Sequence, residues 1–198
     1  IIPNIKYNKA ISLMNEERFD ESISAFSKIS RYKDAWEKIK ECKYNKANAL
    51  ASAKKYTDAY LLFREIIDYK DCQTRAEAIN PNYLKESSVG DYVFFGTYAK
   101  KDETTEDIEW LVLEQSGDKK LIISKEPVAN KAFDESGNGF ATWSKSTIRQ
   151  WLNGDFYNTA FEKYTRDIIS ETTVSARENS MCNWEDFYSE TTQDRMFL

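Results

Sequence analysis

A 37-residue repeat is the feature that most constrains the fold of this 198-residue chain. The segment Tyr-Asn-Lys-Ala at 7–10 returns at 44–47, and Tyr-Lys-Asp at 32–34 returns at 69–71. The same offset pairs apolar residues between these motifs: Leu13 with Leu50, Phe26 with Phe63, and Ile29 with Ile66. A fixed period in this range is the signature of stacked helical hairpins. We therefore predict that the first part of the chain is a helical-repeat array.

The longest predicted helix runs from Asp34 to about Lys55. Asp34 is expected to be its N-cap, because an Asp side chain can accept hydrogen bonds from the free N–H groups at a helix start. Glu37 stands three residues on, at the spacing of a capping box. Trp36 is expected among the contacts of this helix.

A short helix from Asp71 to Ile79 is predicted to end the array. Asp71 repeats the position of Asp34, although Thr74 replaces the glutamate of the capping box. The following segment, 80–82, reads Asn-Pro-Asn, which is a strong turn signal. We expect the helix to stop there.

The second helix of each repeat opens with a recurring motif, Phe-Asp-Glu-Ser-Ile at 19–23 and Tyr-Thr-Asp-Ala-Tyr at 56–60. An aromatic residue follows in each, Phe26 and Phe63. These motifs resemble the tetratricopeptide repeat, although the period here is 37 residues and Tyr-Lys-Asp replaces the family's closing proline. The resemblance implies a concave groove that binds a protein or peptide partner.

Asn8 and Asn45 match the first-helix asparagine that lies in the peptide groove of that family. The resemblance therefore implies that they are partner-binding residues, since an asparagine amide can both donate to and accept from a peptide backbone. The alternative is that both are ordinary exposed helix positions.

The chain contains no histidine. This excludes Ser-His-Asp and Cys-His catalysis and histidine-ligated metals. The three cysteines have no C-x-x-C spacing, which removes zinc-ribbon and thioredoxin-like sites. An enzyme would have to use carboxylates, lysine, tyrosine or a metal held by oxygen atoms. We predict a non-enzymatic protein with no required cofactor.

The charges divide by region. Residues 1–80 contain 15 Lys and Arg against 12 Asp and Glu, whereas residues 81–198 contain 13 against 21. Neither half shows the clustered basic patch that phosphate binding requires, so no nucleic-acid partner is predicted. No apolar run approaches the length of a membrane span.

After residue 83 the apolar period changes from helical to strand-like. Buried strands are predicted at 92–95, 108–113 and 121–123, with a hairpin turn at 115–118, a charged loop at 100–107 and a loop at 130–141. A helix is expected from Trp143, with Ile148, Trp151 and Leu152 on one face, ended by Asn153-Gly154 and followed by a helix capped by Asp155. A further strand is expected at 171–176. Core packing is predicted for Trp110 and Trp151.

The predicted fold class is α+β in two domains: a helical-repeat array at 1–80, and a mixed domain with a small antiparallel sheet at 83–198. The stretches 89–98, 108–113, 142–153 and 156–161 resemble a bacterial domain of unknown function that follows helical repeats with the same Tyr-Lys-Asp signature. That similarity covers about 88–198. More distantly, the region resembles the C-type-lectin-like fold shared with sulfatase-modifying proteins. The oxidase chemistry of those proteins needs paired cysteines. This region has only Cys182, so that chemistry is not expected.

Two groups of residues in the second domain are candidates for ligand binding. Asp134 and Glu135 open an Asp-Glu-Ser-Gly-Asn loop whose oxygen atoms suit Ca²⁺, although it lacks the EF-hand spacing. Trp184 and Glu185 combine an aromatic ring with a carboxylate, as many sugar-binding sites do. Each group can equally be a solvated surface.

We expect a binding or scaffold protein whose repeats mediate protein–protein contacts and whose second domain binds a ligand or partner. The alternative is a carbohydrate- or Ca²⁺-binding lectin-like domain, or a carboxylate-based enzyme, in residues 83–198. The chain begins Ile-Ile-Pro and ends Met-Phe-Leu, which reads like the start of a strand. We therefore expect a fragment of a longer bacterial protein. That protein is either cytoplasmic, or it is surface-anchored or secreted by means of a targeting segment outside this sequence.

Overall fold

The 37-residue period of the sequence is also a period of the backbone in the computed structural model. The structure describes residues 2–99, 104–135, 141–176 and 190–198. The helices of the first compact unit, Ile1–Glu86, are α1 (Ile2–Asn15), α2 (Phe19–Ser27), α3 (Ala35–Ser52), α4 (Tyr56–Glu65) and α5 (Cys72–Glu86). Helices α1 and α2 pack as one hairpin, α3 and α4 as a second, and α5 packs on α4. The predicted helical-hairpin repeats are therefore confirmed.

The turns inside the two hairpins have the same geometry. Glu17 and Lys54, which are 37 positions apart, both adopt a left-handed backbone with φ 59°. In each turn the next N–H bonds to the carbonyl five residues earlier, Arg18 to Leu13 and Lys55 to Leu50, both at 2.9 Å. This bond closes the end of the preceding helix as in a Schellman motif.

The core of the repeats is built from one large aromatic residue per hairpin and small residues around it. Phe26 and Phe63 are 0% and 1% exposed, and Ala10 and Ala47 are both 0% exposed. Alanine at these positions allows neighbouring helices to approach closely. Cys42 is also buried, and burial raises the pKa of its thiol. Such a thiol behaves as a small apolar residue.

Three details of the predicted long helix are wrong. Helix α3 ends at Ser52, before Lys55. Asp34 precedes the helix but makes no side-chain cap, because its carboxylate accepts a hydrogen bond from the Tyr7 hydroxyl instead. Trp36 is 57% exposed and is therefore a surface residue.

The predicted end of the array at Ile79 is also wrong, because α5 continues through Pro81 to Glu86. Tertiary contacts beyond the proline hold the extra turns. The Tyr83 ring stacks on Tyr60 with centroids 4.1 Å apart. The Glu86 carboxylate accepts hydrogen bonds from the first turn of α4, from the N–H groups of Tyr56 and Thr57 at 3.2 and 2.7 Å and from the Thr57 hydroxyl at 2.7 Å.

The second compact unit, Ser87–Leu198, begins with an antiparallel sheet in the order β1-β2-β3. Its strands are β1 (Tyr92–Ala99), β2 (Thr105–Ser116) and β3 (Lys119–Ser124). The predicted β2–β3 hairpin is present, and Gly117 in its turn has φ 58°. The predicted charged loop is shorter than expected, because β2 already begins at Thr105.

The remaining described elements follow this sheet in the chain and are short helices and a second, two-stranded sheet. They are a 3₁₀ turn (Trp143–Lys145), α6 (Thr147–Trp151), a π-helical turn (Leu152–Phe156), α7 (Tyr157–Ala160), α8 (Lys163–Arg166), β4 (Thr172–Ala176) and β5 (Glu190–Asp194). Strands β4 and β5 pair antiparallel. The fold class is therefore α+β, as predicted.

Asn153-Gly154 does not end the helix, and Asp155 does not start a new one. The chain passes through them in the π-helical turn and continues into α7. The Asn153 side chain makes tertiary hydrogen bonds instead, with its Oδ1 accepting from the N–H groups of Arg195 and Met196 at 2.8 and 3.1 Å. The C-terminal residues are not a strand, because β5 ends at Asp194.

One face of the three-stranded sheet forms the core of the second unit. Alternate residues of β1 and β2 are buried on this face: Val93, Phe95, Ile108, Trp110 and Val112. They lie with Phe156 and Phe161, and the ring centroids of Phe95 and Phe161 are 4.8 Å apart. The predicted core position of Trp110 is confirmed, and its indole N–H donates to the Phe95 carbonyl at 2.6 Å. Trp151 is only half-buried.

We predict that Phe26→Ala and Phe63→Ala each lower the free energy of unfolding by about 3 kcal/mol, since each truncation leaves a cavity where a buried ring was. Leu61→Ala, at an exposed position of α4, is the control and should cost less than about 1 kcal/mol. Urea unfolding followed by circular dichroism at 222 nm measures the difference. Equal losses in all three variants would contradict the hairpin register.

Candidate functional site

The repeated Tyr-Lys-Asp segment lies immediately before α3 and again before α5. Its aspartate accepts a hydrogen bond from a tyrosine on the first helix of the preceding hairpin. The Tyr7 hydroxyl on α1 donates to Asp34 Oδ1 at 2.5 Å. Lys33 has φ 50°, and its ammonium lies 4.7 Å from the ring centroid of Tyr7 and 5.4 Å from that of Tyr32. One left-handed residue therefore places a cation over two aromatic rings.

The second repeat reproduces this arrangement. The Tyr44 hydroxyl donates to Asp71 Oδ1 at 2.7 Å, and Lys70, again at φ 50°, lies 4.6 Å from the Tyr44 ring and 5.1 Å from the Tyr69 ring. Arg75 adds a hydrogen bond to Asp71 at 2.9 Å. The signature that marks the repeat in the sequence is therefore an internal connection between helices.

Hydrogen bonding shifts the acidity of these groups. The Tyr7–Asp34 bond raises the pKa of the Tyr7 phenol and lowers the pKa of the Asp34 carboxyl. The bond from Arg75, followed by that from Tyr44, lowers the pKa of Asp71. These ionised carboxylates already accept internal bonds, so we assign them a structural role.

Asn8 and Asn45, the two residues expected to bind a partner, lie on α1 and α3. Continuation of α5 beyond Pro81 adds Asn82, which is 37 positions after Asn45. We call Asn8, Asn45 and Asn82 the asparagine row. Asn8 is exposed and the other two are half-buried. None of the three side chains hydrogen-bonds to another described residue.

Helical geometry places Asn8 on the side of α1 that faces away from α2. The buried residues Ala10 and Leu13 lie two and five positions later, about 200° and 140° around a helix that turns roughly 100° per residue. The repeat gives Asn45 and Asn82 the equivalent orientation on α3 and α5. The asparagine row therefore lies at equivalent positions of three successive first helices.

In the second unit, Asp134 and Glu135 are held against the start of α6. The Glu135 N–H donates to Thr147 Oγ1 at 3.0 Å, and the Ile148 N–H donates to the Phe133 carbonyl at 3.2 Å. A cavity of about 160 Å³ opens here, lined by Lys131, Ala132, Glu135, Thr147, Ile148, Trp151 and Asp155. We call it the Trp151 pocket.

The other predicted ligand residues, Trp184 and Glu185, lie outside the described residues, as do Ser136–Asn138 of the proposed Ca²⁺ loop. Within the described ranges, no group of three or more Asp, Glu, Cys or His side chains is close enough to hold a metal ion. Among the same residues, no helix has the length and apolarity needed to cross a membrane.

The buried carboxylate of Asp194 bonds to side chains of the sequence motif 142–153 in the second unit. The side chain of Asp194 is 0% exposed and forms an ion pair with Arg149 at 2.8 Å. It also accepts from the Trp143 indole N–H at 2.9 Å and from the Thr192 hydroxyl at 2.5 Å. Together with the bond from the Asn153 side chain to the Met196 carbonyl, these contacts attach the helical segment to β5 and to the residues that follow it. The motif is therefore structural.

Sequence reasoning missed several residues of these candidate sites. Asn82 could have been found from the 37-residue period, but the Asn-Pro-Asn stop signal placed it outside a helix. Trp151 was assigned to the core, and Lys131 and Asp155 carried no binding signal. Asp155 lies in the π-helical turn and lines the Trp151 pocket together with Glu135 and Lys131.

Comparison with known proteins relates the second half of the chain to a described family. Residues 117–198 match a family model described as Domain of unknown function (DUF6273). The match includes Trp143, Arg149 and Asp194, and agrees with the predicted domain of unknown function in the second half. No curated protein and no solved structure matches the chain. The tetratricopeptide-like and lectin-like resemblances stay predictions.

We predict that Asp194→Ala lowers the free energy of unfolding of the second unit by about 3 kcal/mol, because it leaves a partly buried guanidinium and an indole N–H without their acceptor. Glu171→Ala, which removes the exposed partner of Arg195, is the matched control and should cost less than about 1 kcal/mol. Near-UV circular dichroism during urea unfolding distinguishes them. Similar values for both variants would contradict the organising role of Asp194.

We further predict that Tyr7→Phe destabilises the repeats in a pH-dependent manner. Because the pKa of Asp34 is depressed in the folded state, the stabilisation is present above the ordinary aspartate pKa of about 3.9 and is lost as pH falls through the depressed folded value. The difference between the urea midpoints of the wild type and the variant should therefore shrink as pH falls below 4.

Tyr44→Phe is the control for this experiment, because Asp71 retains its bond from Arg75. Its pH-dependent loss should be smaller than that of Tyr7→Phe. A difference between the wild type and Tyr7→Phe that stays constant from pH 7 to pH 2 would contradict the assignment.

Proposed function

We propose that this protein is a non-enzymatic binding or scaffold protein whose helical repeats hold an extended peptide segment of a partner along the asparagine row. The observation that supports this is the recurrence of Asn8, Asn45 and Asn82 at one period, on three successive first helices, with no side-chain hydrogen bond to another described residue. The resemblance of the hairpins to tetratricopeptide repeats also supports it.

The chemistry of the row suits a peptide backbone. Each asparagine offers an amide N–H₂ donor and a carbonyl acceptor, which is the same pair of groups that each peptide unit presents. Neighbouring polar residues of the first helices are already used internally, since Lys33 donates to Asn4 and Arg75 donates to Asn48, both at 3.0 Å. The side-chain amides of the row, in contrast, lie at equivalent positions and make no hydrogen bond to another described residue.

The cations of the repeats support a protein partner over a nucleic acid. Lys33 and Lys70 lie over tyrosine rings, and Lys43 and Lys46 pair with Glu65 and Asp20. The two lysines that are paired with carboxylates contribute less to phosphate binding than unpaired cations do. A peptide held by its backbone does not require a net charge on the groove.

The second unit, which contains the DUF6273 match, is proposed to bind a ligand through its loops. The lectin-like alternative rests on one observation, namely that Glu135 and Trp151 line the same pocket. A carboxylate-based enzyme would need two carboxylates at a defined separation around a substrate. Glu135 and Asp155 line the same pocket, and the experiment on that pocket described below includes a neutral sugar.

We predict that Asn8→Ala/Asn45→Ala/Asn82→Ala abolishes peptide capture without loss of helical content. A random dodecapeptide display library panned on the whole chain provides the probe, and the recovered peptides are titrated by isothermal calorimetry. Peptides captured by the wild type should lose at least tenfold in affinity, because each lost bidentate contact removes on the order of 1 kcal/mol.

The control is Ser24→Ala/Lys28→Ala/Asp58→Ala, three exposed positions on or beside the second helices. This variant should bind like the wild type. Recovery of no peptide, or equal loss in both triple variants, would refute peptide binding along the asparagine row.

A further inference from the structure

The Trp151 pocket contains an aromatic ring that already has a cation on its face. Lys131 Nζ lies 5.0 Å from the centroid of the Trp151 ring. Tryptophan has the strongest attraction for a cation among the aromatic side chains. The cation is the ammonium group of Lys131, an exposed residue of the loop that precedes α6.

Two carboxylates line the same pocket and are not neutralised by that lysine. Glu135 and Asp155 form no ion pair with any described residue, and Lys131 lies within 4.0 Å of neither carboxylate. Both are exposed. The pocket therefore contains two negative charges and one positive charge, so it retains an attraction for a second cation.

The frame of the pocket is fixed by backbone hydrogen bonds. The Glu135 N–H bonds to Thr147 and the Phe133 carbonyl accepts from Ile148, so the loop that contains Lys131 is attached to α6 on either side of Asp134. Trp151 is half-buried, and its ring centroid is 5.0 Å from that of Phe156. The lysine side chain, in contrast, makes no hydrogen bond or ion pair with a described residue and can leave the ring by rotation of its own bonds.

We propose that the Trp151 pocket binds an organic cation, an alkylammonium or guanidinium group, on the face of Trp151 between Glu135 and Asp155, in exchange with Lys131. Lys131 occupies the ring when the ligand is absent. The cavity of about 160 Å³ accommodates one such group with a short alkyl chain. This site is in the second unit and does not depend on peptide binding by the repeats.

The exchange has a consequence that can be measured. Because Lys131 competes for the ring, the apparent affinity for an added cation is reduced by the fraction of time for which the ring is free. Removal of Lys131 should therefore strengthen binding, although it removes a contact that the pocket makes in the unliganded protein.

The test is a titration of the whole ¹⁵N-labelled chain, followed through the indole N–H signal of Trp151, which is assigned with Trp151→Phe. The probes are n-butylamine with its neutral analogue n-butanol, n-butylguanidine with n-butylurea, and methyl α-glucoside as a neutral sugar. Ionic strength is held constant with sodium chloride. We expect saturable, millimolar binding of the two cations and no saturable shift with the neutral analogues.

Lys131→Ala should bind n-butylguanidine about fivefold more tightly. Glu135→Gln/Asp155→Asn should lose most of the affinity, whereas Glu162→Gln/Asp167→Asn, which changes two exposed carboxylates elsewhere, should not. A tripeptide arm, acetyl-Gly-Arg-Gly-amide, identifies the source of the cation. Tighter binding than n-butylguanidine indicates an arginine side chain of a partner, and weaker binding indicates a free small cation.

Either result of the tripeptide arm supports the proposal. The proposal is overturned if the neutral analogues bind as well as the cations, or if Lys131→Ala leaves the affinity unchanged or lowers it. A saturable shift with methyl α-glucoside alone would also overturn it, and would favour the carbohydrate-binding alternative.

Discussion

The hydrogen bond from a tyrosine hydroxyl to an aspartate 27 residues later is the interaction on which the repeat array depends. It occurs twice, from Tyr7 to Asp34 and from Tyr44 to Asp71, and each time it connects one first helix to the start of the next. Each connection requires a lysine in the left-handed region, a conformation that costs a non-glycine residue roughly 1–2 kcal/mol. The cation–aromatic contacts of Lys33 and Lys70, at about 0.5–1 kcal/mol each, offset that cost.

Carboxylates that connect distant segments recur throughout the chain. Asp34 and Asp71 join successive repeats, Glu86 accepts from the first turn of α4, and Asp194 holds the helical segment against β5. Burial raises the pKa of Glu86, but the hydrogen bonds from Thr57 and Tyr56 outweigh it and lower the value overall. We therefore assign a structural role to the carboxylates that accept several internal hydrogen bonds. Polar side chains without such bonds are the candidates for ligand binding.

The asparagine row and the Trp151 pocket both contain polar side chains without such internal bonds. The side chains of Asn8, Asn45 and Asn82 make no hydrogen bond to another described residue, although those of Asn4 and Asn48 do. Glu135 and Asp155 lack an ion pair within the same residues, whereas Asp194 has one. Groups that folding leaves unsatisfied at the surface are free to bind a ligand at little cost to stability.

The sequence by itself determined the hairpin repeats, the first four strands and the β2–β3 turn, because apolar spacing and turn residues report on contacts between near neighbours. It also excluded histidine chemistry. Only the tertiary structure decided that α5 passes through Pro81, that Asp34 accepts a hydrogen bond from Tyr7 instead of capping α3, and that Asp155, Glu135 and Trp151 line one pocket. The physical reason is competition: a polar side chain or a helix end has several possible partners, and the partner that wins is set by groups that folding brings from far along the chain.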